Sequence, residues 1–157
     1  MQPTVARLDR PITVAKGVSA TELFARCGFR YRPPSLENFE VRSGQLTQFT
    51  PWLINLSTRK SREERRAILQ GIEPERKLKL ADSLHLAAFG FVYPEYPGGA
   101  HPNPVMAIGN PIEVGDYKRT LAIFGSPHEG RDLYTFFDCA HFGPLVSYLM
   151  IEEMAEE

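Results

Sequence analysis

Apolar residues spaced three and four apart, each series opened by a capping or turn signal, predict three helices in the first ninety positions. Ser19 and Glu22 form a capping box, with Val18 and Leu23 at the hydrophobic-staple positions. Gly28 is a natural left-handed stop, so this helix covers about 20–27. Leu23, Phe24 and Cys27 share one of its faces, which makes Cys27 a small hydrophobe of the core. Ser61 and Glu64 repeat the box ahead of a helix over 62–70 that Gly71 closes. A third helix has Pro74 in its first turn, carries Leu80, Leu84, Ala87, Ala88 and Phe91 at helical spacing, and ends near Gly90.

Extended patterns alternate with these and dominate later. Ile12 to Ala15 is a short strand candidate, and Thr50 to Leu56 reads as a buried strand with Pro51 tolerable near its start. Residues 92–104 hold four prolines and two glycines and read as a long, stiff loop. Beyond it Val105 to Ile108, Arg119 to Ser126 and Arg131 to Asp138 form an antiparallel meander, with Pro127 to Gly130 turning the second hairpin. Gly143-Pro144 then opens a last helix over 145–157. The order predicts one α+β domain spanning 1–157: N-terminal helices followed by an antiparallel meander of at least three strands and a C-terminal helix.

The hairpin invites a register. If Pro127 and Gly130 flank a two-residue turn, Arg119 faces Asp138 as an opposite-charge pair, and Leu121 faces Phe136 on the same surface. Cys139 then lies opposite Lys118 and His141 near Asp116. A thiol, an imidazole, a carboxylate and an ammonium converging beside a helix start are the parts of a nucleophilic site. Cys139, His141, Asp116 and Lys118 are therefore the candidate catalytic set of a thiol-dependent hydrolase or transferase. The structural alternative makes Cys139 a buried small residue and leaves His141 bonded to backbone.

A metal site fares worse. His128 sits in the turn and Cys139 follows at the end of the strand after it, some 26 Å away at about 3.3 Å per residue. His85 lies inside a helix, between Leu84 and Leu86. No phosphate loop is present either, since Gly98-Gly99 runs into Ala-His-Pro rather than Lys-Ser/Thr. Neither metal nor cofactor is expected.

Composition narrows the class further. The chain has 157 residues, 43% of them hydrophobic, which is too apolar for a disordered chain and long enough for one core. Two cysteines make no disulfide scaffold. The longest apolar run, Leu84 to Tyr93, is ten residues and contains His85, too short to span a bilayer. The N-terminal MQPTVARLDRP lacks the apolar segment of a signal peptide, so a soluble cytoplasmic protein is expected.

Charge divides the chain. Residues 1–79 carry 15 basic against 8 acidic residues, a net +7, whereas 80–157 carry 3 against 11, a net −8. The densest basic run, Arg59 to Arg66, offers Arg59, Lys60, Arg62, Arg65 and Arg66 as nucleic-acid contacts beside the positive end of a helix dipole. No aromatics interleave it, so base stacking is not indicated there. The first expectation is a non-enzymatic cytoplasmic interaction module that binds a protein partner through loop 92–104, with Tyr93, Tyr96 and His101, and a charge-polarised surface. The thiol enzyme and the nucleic-acid binder are its two alternatives.

Overall fold

The last apolar run of the chain, rather than forming a closing helix, is the centre of the sheet. The computed structural model describes residues 3–58, 61–114, 117–137 and 145–154. Its strands are β1 (Thr4–Arg7), β2 (Ile12–Val14), β3 (Thr47–Asn55), β4 (Lys79–Leu80), β5 (Val105–Val114), β6 (Tyr117–Ser126), β7 (Gly130–Phe137) and β8 (Ser147–Glu153). Its helices are α1 (Ala20–Arg26), α2 (Arg62–Gln70) and α3 (Ser83–Val92). The eight strands form one sheet in the order β1-β3-β8-β5-β6-β7, with β2 also on β3 and β4 also on β8. All pairings are antiparallel except β5 with β8, so the sheet is mixed and the helices are interspersed among its strands. The expected order of helices, meander and closing helix is thus overturned.

Burial on both faces explains the error at β8. Leu149 and Ile151 point into the core that α1 and α3 cover, together with Leu53, Leu121 and Ile123. Tyr148 and Met150 point to the opposite face, with Trp52, Met106, Ala122 and Leu69 of α2. A strand covered on both sides has no polar alternation, and a short apolar run of that kind reads equally well as helix.

The local capping signals do hold. Ser19 caps α1 by accepting the Glu22 N–H at 3.1 Å, and Ser61 caps α2 by accepting the Glu64 N–H at 3.2 Å. The third helix is different. Glu73 and Lys77 adopt left-handed backbone (φ 47° and 53°), so Pro74–Arg76 is an isolated 3₁₀ turn and β4 follows it. The cap of α3 is Asp82, which accepts the His85 N–H at 3.0 Å while His85 Nδ1 accepts the Asp82 N–H at 3.0 Å.

The hairpin register is also corrected, by one residue. Ser126 pairs with Gly130, Leu121 with Thr135, Thr120 with Phe136 and Arg119 with Phe137. Pro127 has no N–H with which to close a two-residue turn, so the loop takes three residues, Pro127 to Glu129, and Gly130 turns it at φ 95°. Ser126 Oγ accepts the Glu129 N–H at 3.1 Å inside that loop. Leu121 and Phe136 consequently lie on opposite faces, Leu121 in the α1/α3 core and Phe136 against the other. Arg119 donates to Thr135 Oγ1 at 2.9 Å and lies over the Phe137 ring at 4.6 Å.

At the other end of the sheet Glu152 gathers three donors. It accepts from Arg7 Nε at 3.0 Å, Trp52 Nε1 at 3.1 Å and Arg76 Nη1 at 3.0 Å. Burial pushes its carboxyl up, but the bonds from Trp52, Arg76 and Arg7 outweigh burial and hold it below the ordinary carboxylate range. The stability this linkage supplies is complete above the unfolded pKa of about 4.3 and is lost as pH falls through the lower folded value. Glu152→Gln should therefore flatten the acid limb of urea-unfolding midpoints measured from about pH 6 down to pH 3. An acid limb identical to wild type would contradict this.

Candidate functional site

The proline-aromatic loop folds back onto the domain instead of projecting from it. Tyr93 is 1% exposed, not displayed as the sequence suggested. Its ring stacks on Phe89 at 5.2 Å, and its hydroxyl accepts the Arg10 N–H at 2.7 Å and donates to the Arg10 carbonyl at 2.6 Å. The Arg10 guanidinium covers the ring at 4.0 Å. Tyr96 is half-buried against Phe89 and Tyr93, and His101 packs on Tyr96 at 5.7 Å. The two rings that motivated an interface are mainly a lid on the core. His101 does reach a small pocket of about 190 Å³, with Thr4, Asn55, Asn103 and Ser147 in its wall.

The basic run turns inward. Arg62, Arg65 and Arg66 share one face of α2, and that face meets the sheet. Arg65 is 1% exposed, lies over the Tyr148 ring at 5.5 Å and donates to the Tyr148 hydroxyl at 3.4 Å. Arg66 donates to the Ile108 carbonyl at 3.1 Å. Burial, and then the charges of Arg65 and Arg62, lower its pKa. What α2 shows to solvent is Glu63, Glu64, Ala67 and Gln70, the wrong sign for a phosphate backbone. Arg59 and Lys60 lie outside the described residues.

Of the proposed catalytic set, Cys139, His141 and Asp116 lie outside the described residues. Lys118 sits on β6 opposite Glu113 of β5, Nζ to Oε1 3.9 Å. The β6–β7 register from which this set was read is shifted by one residue. Among the described residues no group of His, Cys, Asp and Glu could hold a metal ion.

Two features that sequence reasoning passed over stand out. The first is a cleft of about 460 Å³ between the end of α1, the α3–β5 loop and the β6–β7 turn, with Cys27, Pro94, Glu95, Ser126, Pro127 and Arg131 in its wall. Arg131 is 6% exposed and shares a face of β7 with the core residue Leu133. Its guanidinium donates to the Cys27 carbonyl at 2.9 Å and the Tyr96 carbonyl at 3.3 Å, and lies over Phe29 at 5.0 Å. Burial lowers its pKa. Cys27, a free thiol, donates to the Leu23 carbonyl at 3.2 Å, and burial pushes its pKa up to about 11 against the opposing pull of Arg131. In the corrected register a charged residue at an inward strand position was the available signal.

The second is an aromatic rim at the β6–β7 end of the sheet. Tyr31 (43% exposed) stacks on Tyr134 (37%) at 4.9 Å, and Tyr117 (63%) tilts against Phe137 (43%) at 5.2 Å. Phe124 and Phe136 stack on each other at 4.7 Å and both meet Tyr134 edge-on, whereas Tyr117 and Phe137 lie at the odd positions of the two strands, on the opposite face. β7 is the outer strand of the sheet. Arg30, Tyr31 and their bonds to Arg131 and Leu133 cover the first half of its outer edge, and among the described residues no further strand follows it in the sheet.

The chain matches no protein-family model, no curated protein and no solved structure. No helix among the described residues is long and apolar enough to cross a membrane.

Proposed function

We propose that the chain is a non-enzymatic cytoplasmic interaction module whose partner-binding surface is the aromatic rim of β6 and β7 rather than the loop 92–104. The observation that carries this reading is the concentration of four exposed aromatic rings, Tyr31, Tyr117, Tyr134 and Phe137, on or beside the outer strand of the sheet. Folding alone gives little reason to leave such rings in water, and aromatic residues are enriched where proteins meet. An extended segment of a protein partner could align along β7, with the exposed rings giving pockets for its side chains. Arg30, paired to Asp132 at 2.8 Å, and Arg119 give the rim a polar border. A reducing compartment suits the free Cys27 thiol.

Site-directed photocross-linking tests the reading in the native cell. Benzoylphenylalanine at position 134 or 137 should capture one discrete partner. The same group at Leu46, which is 59% exposed and precedes β3 far from this edge, should not. Equal capture at all three positions, or none at 134 and 137, would remove the rim as the interface.

A further inference from the structure

The geometry points to the cleft beside Arg131 as a binding site for the oxyanion group of a small molecule, a carboxylate or a phosphate. This is independent of the aromatic rim, which lies on the other half of β7. The argument begins with charge. Arg131 is nine-tenths buried, yet no carboxylate of the described residues pairs with it, and its guanidinium bonds to the neutral Cys27 and Tyr96 carbonyls. A buried guanidinium without a counter-ion is costly, and neutral carbonyls satisfy its hydrogens without cancelling its charge. An arriving oxyanion supplies what is missing.

The donors are suited to that task. A guanidinium carries five N–H groups in a planar fork, and the Cys27 and Tyr96 carbonyls take two of its bonds. Those two bonds, with Phe29 against the ring plane, hold the fork in one orientation before any ligand arrives. Ser126 adds a hydroxyl to the same wall. Its oxygen already accepts the Glu129 N–H, which leaves its proton to donate. The acidic residue of the wall, Glu95, is ion-paired with Arg10, and the nearby Asp132 is ion-paired with Arg30, so neither neutralises Arg131. Pro94 and Pro127 give the cleft apolar sides for the carbon skeleton of a ligand, and 460 Å³ falls in the range of small-molecule sites.

Cys27 is a built-in reporter: its carbonyl is held by Arg131 in the cleft wall while its thiol turns to the Leu23 and Ala87 carbonyls, so its labelling reads the opening of that wall, which a bound ligand would hold shut. The full chain is alkylated with iodoacetamide at mildly alkaline pH, and peptide mapping separates Cys27 from Cys139. Sodium phosphate, acetate and chloride are compared at matched ionic strength. At ten times its dissociation constant a ligand leaves about a tenth of the sites open, so phosphate or acetate should slow Cys27 labelling about tenfold while chloride does not. Which of the two protects identifies the oxyanion. Arg131→Gln removes the ties to two loop carbonyls and risks the fold, so Arg131→Lys is the decisive variant. It keeps the charge but not the fork, and should need about tenfold more anion for the same protection. Ser126→Ala should weaken protection. Protection no greater than that of chloride, or equal protection in wild type and in an Arg131→Lys protein of unchanged circular dichroism, would overturn the site.

Discussion

Replacing Tyr93 by alanine should destabilise the protein by about 3–5 kcal/mol, the range for deleting a fully buried large aromatic side chain. The ring is 1% exposed and contacts Phe89, Tyr96 and the Arg10 guanidinium, so its removal leaves a cavity under the loop 92–104 rather than a smoother surface. The hydroxyl adds a separable part. Tyr93→Phe keeps the packing but leaves the Arg10 N–H and carbonyl without their partner, at a cost of about 1–3 kcal/mol. Urea denaturation followed by circular dichroism measures both. A change below about 1 kcal/mol for the alanine variant would mean that the ring is not part of the core. The experiment also bears on function, since loss of a partner by Tyr93→Ala would come with loss of stability and would not locate an interface.

Gly109→Ala should be as damaging, for the opposite reason. β5 carries extra residues between Ala107 and Ile112 relative to β6, and this bulge brings Gly109 against the chain just before α3. Its N–H donates to the Ala81 carbonyl at 2.8 Å. A Cβ there would meet the Ala81 oxygen at 2.6 Å, the Ala81 carbonyl carbon at 2.9 Å and the Leu80 oxygen at 2.9 Å. All three are backbone atoms, of Leu80 in β4 and of Ala81 between β4 and the Asp82 cap, so no side chain can swing aside. The expected cost is at or beyond the upper end of the roughly 1–3 kcal/mol seen for overpacking. A variant with the wild-type urea midpoint would show that the bulge can relax.

Several local features were legible in the chain because their causes are local. Ser19 and Ser61 cap helices because a hydroxyl three residues before an N–H can accept it whatever lies elsewhere, and Gly71 ends α2 for a similarly short-range reason. Ile12–Val14 and the core of β3 were readable from apolar, β-branched runs. The third helix was misread because its true cap, Asp82, lies inside an apolar series that continues helical spacing back to Leu80. A pattern does not reveal the left-handed residues Glu73 and Lys77 that interrupt it.

The site-level features were harder. The burial of Tyr93 and of Arg65 both run against residue type, since a loop tyrosine and a helix arginine are ordinarily wet. Arg10, eighty-three positions away, is what receives Tyr93, and Tyr148, eighty-three positions away in the other direction, is what receives Arg65. No window of sequence contains both members of either pair.

The sequence by itself determined the starts of α1 and α2 and the turn near Pro127, which depend on neighbours within a few residues, and the division of charge between the halves. Tertiary structure alone decided that 147–153 is a strand, because that run is apolar on both sides and only pairing with β3 on one edge and with β5 and β4 on the other selects extended over helical backbone. It also decided the one-residue register of β6 on β7. Strand faces alternate with period two, so whether the turn takes two or three residues settles which side chains enter the core, and with them that Arg131 is buried.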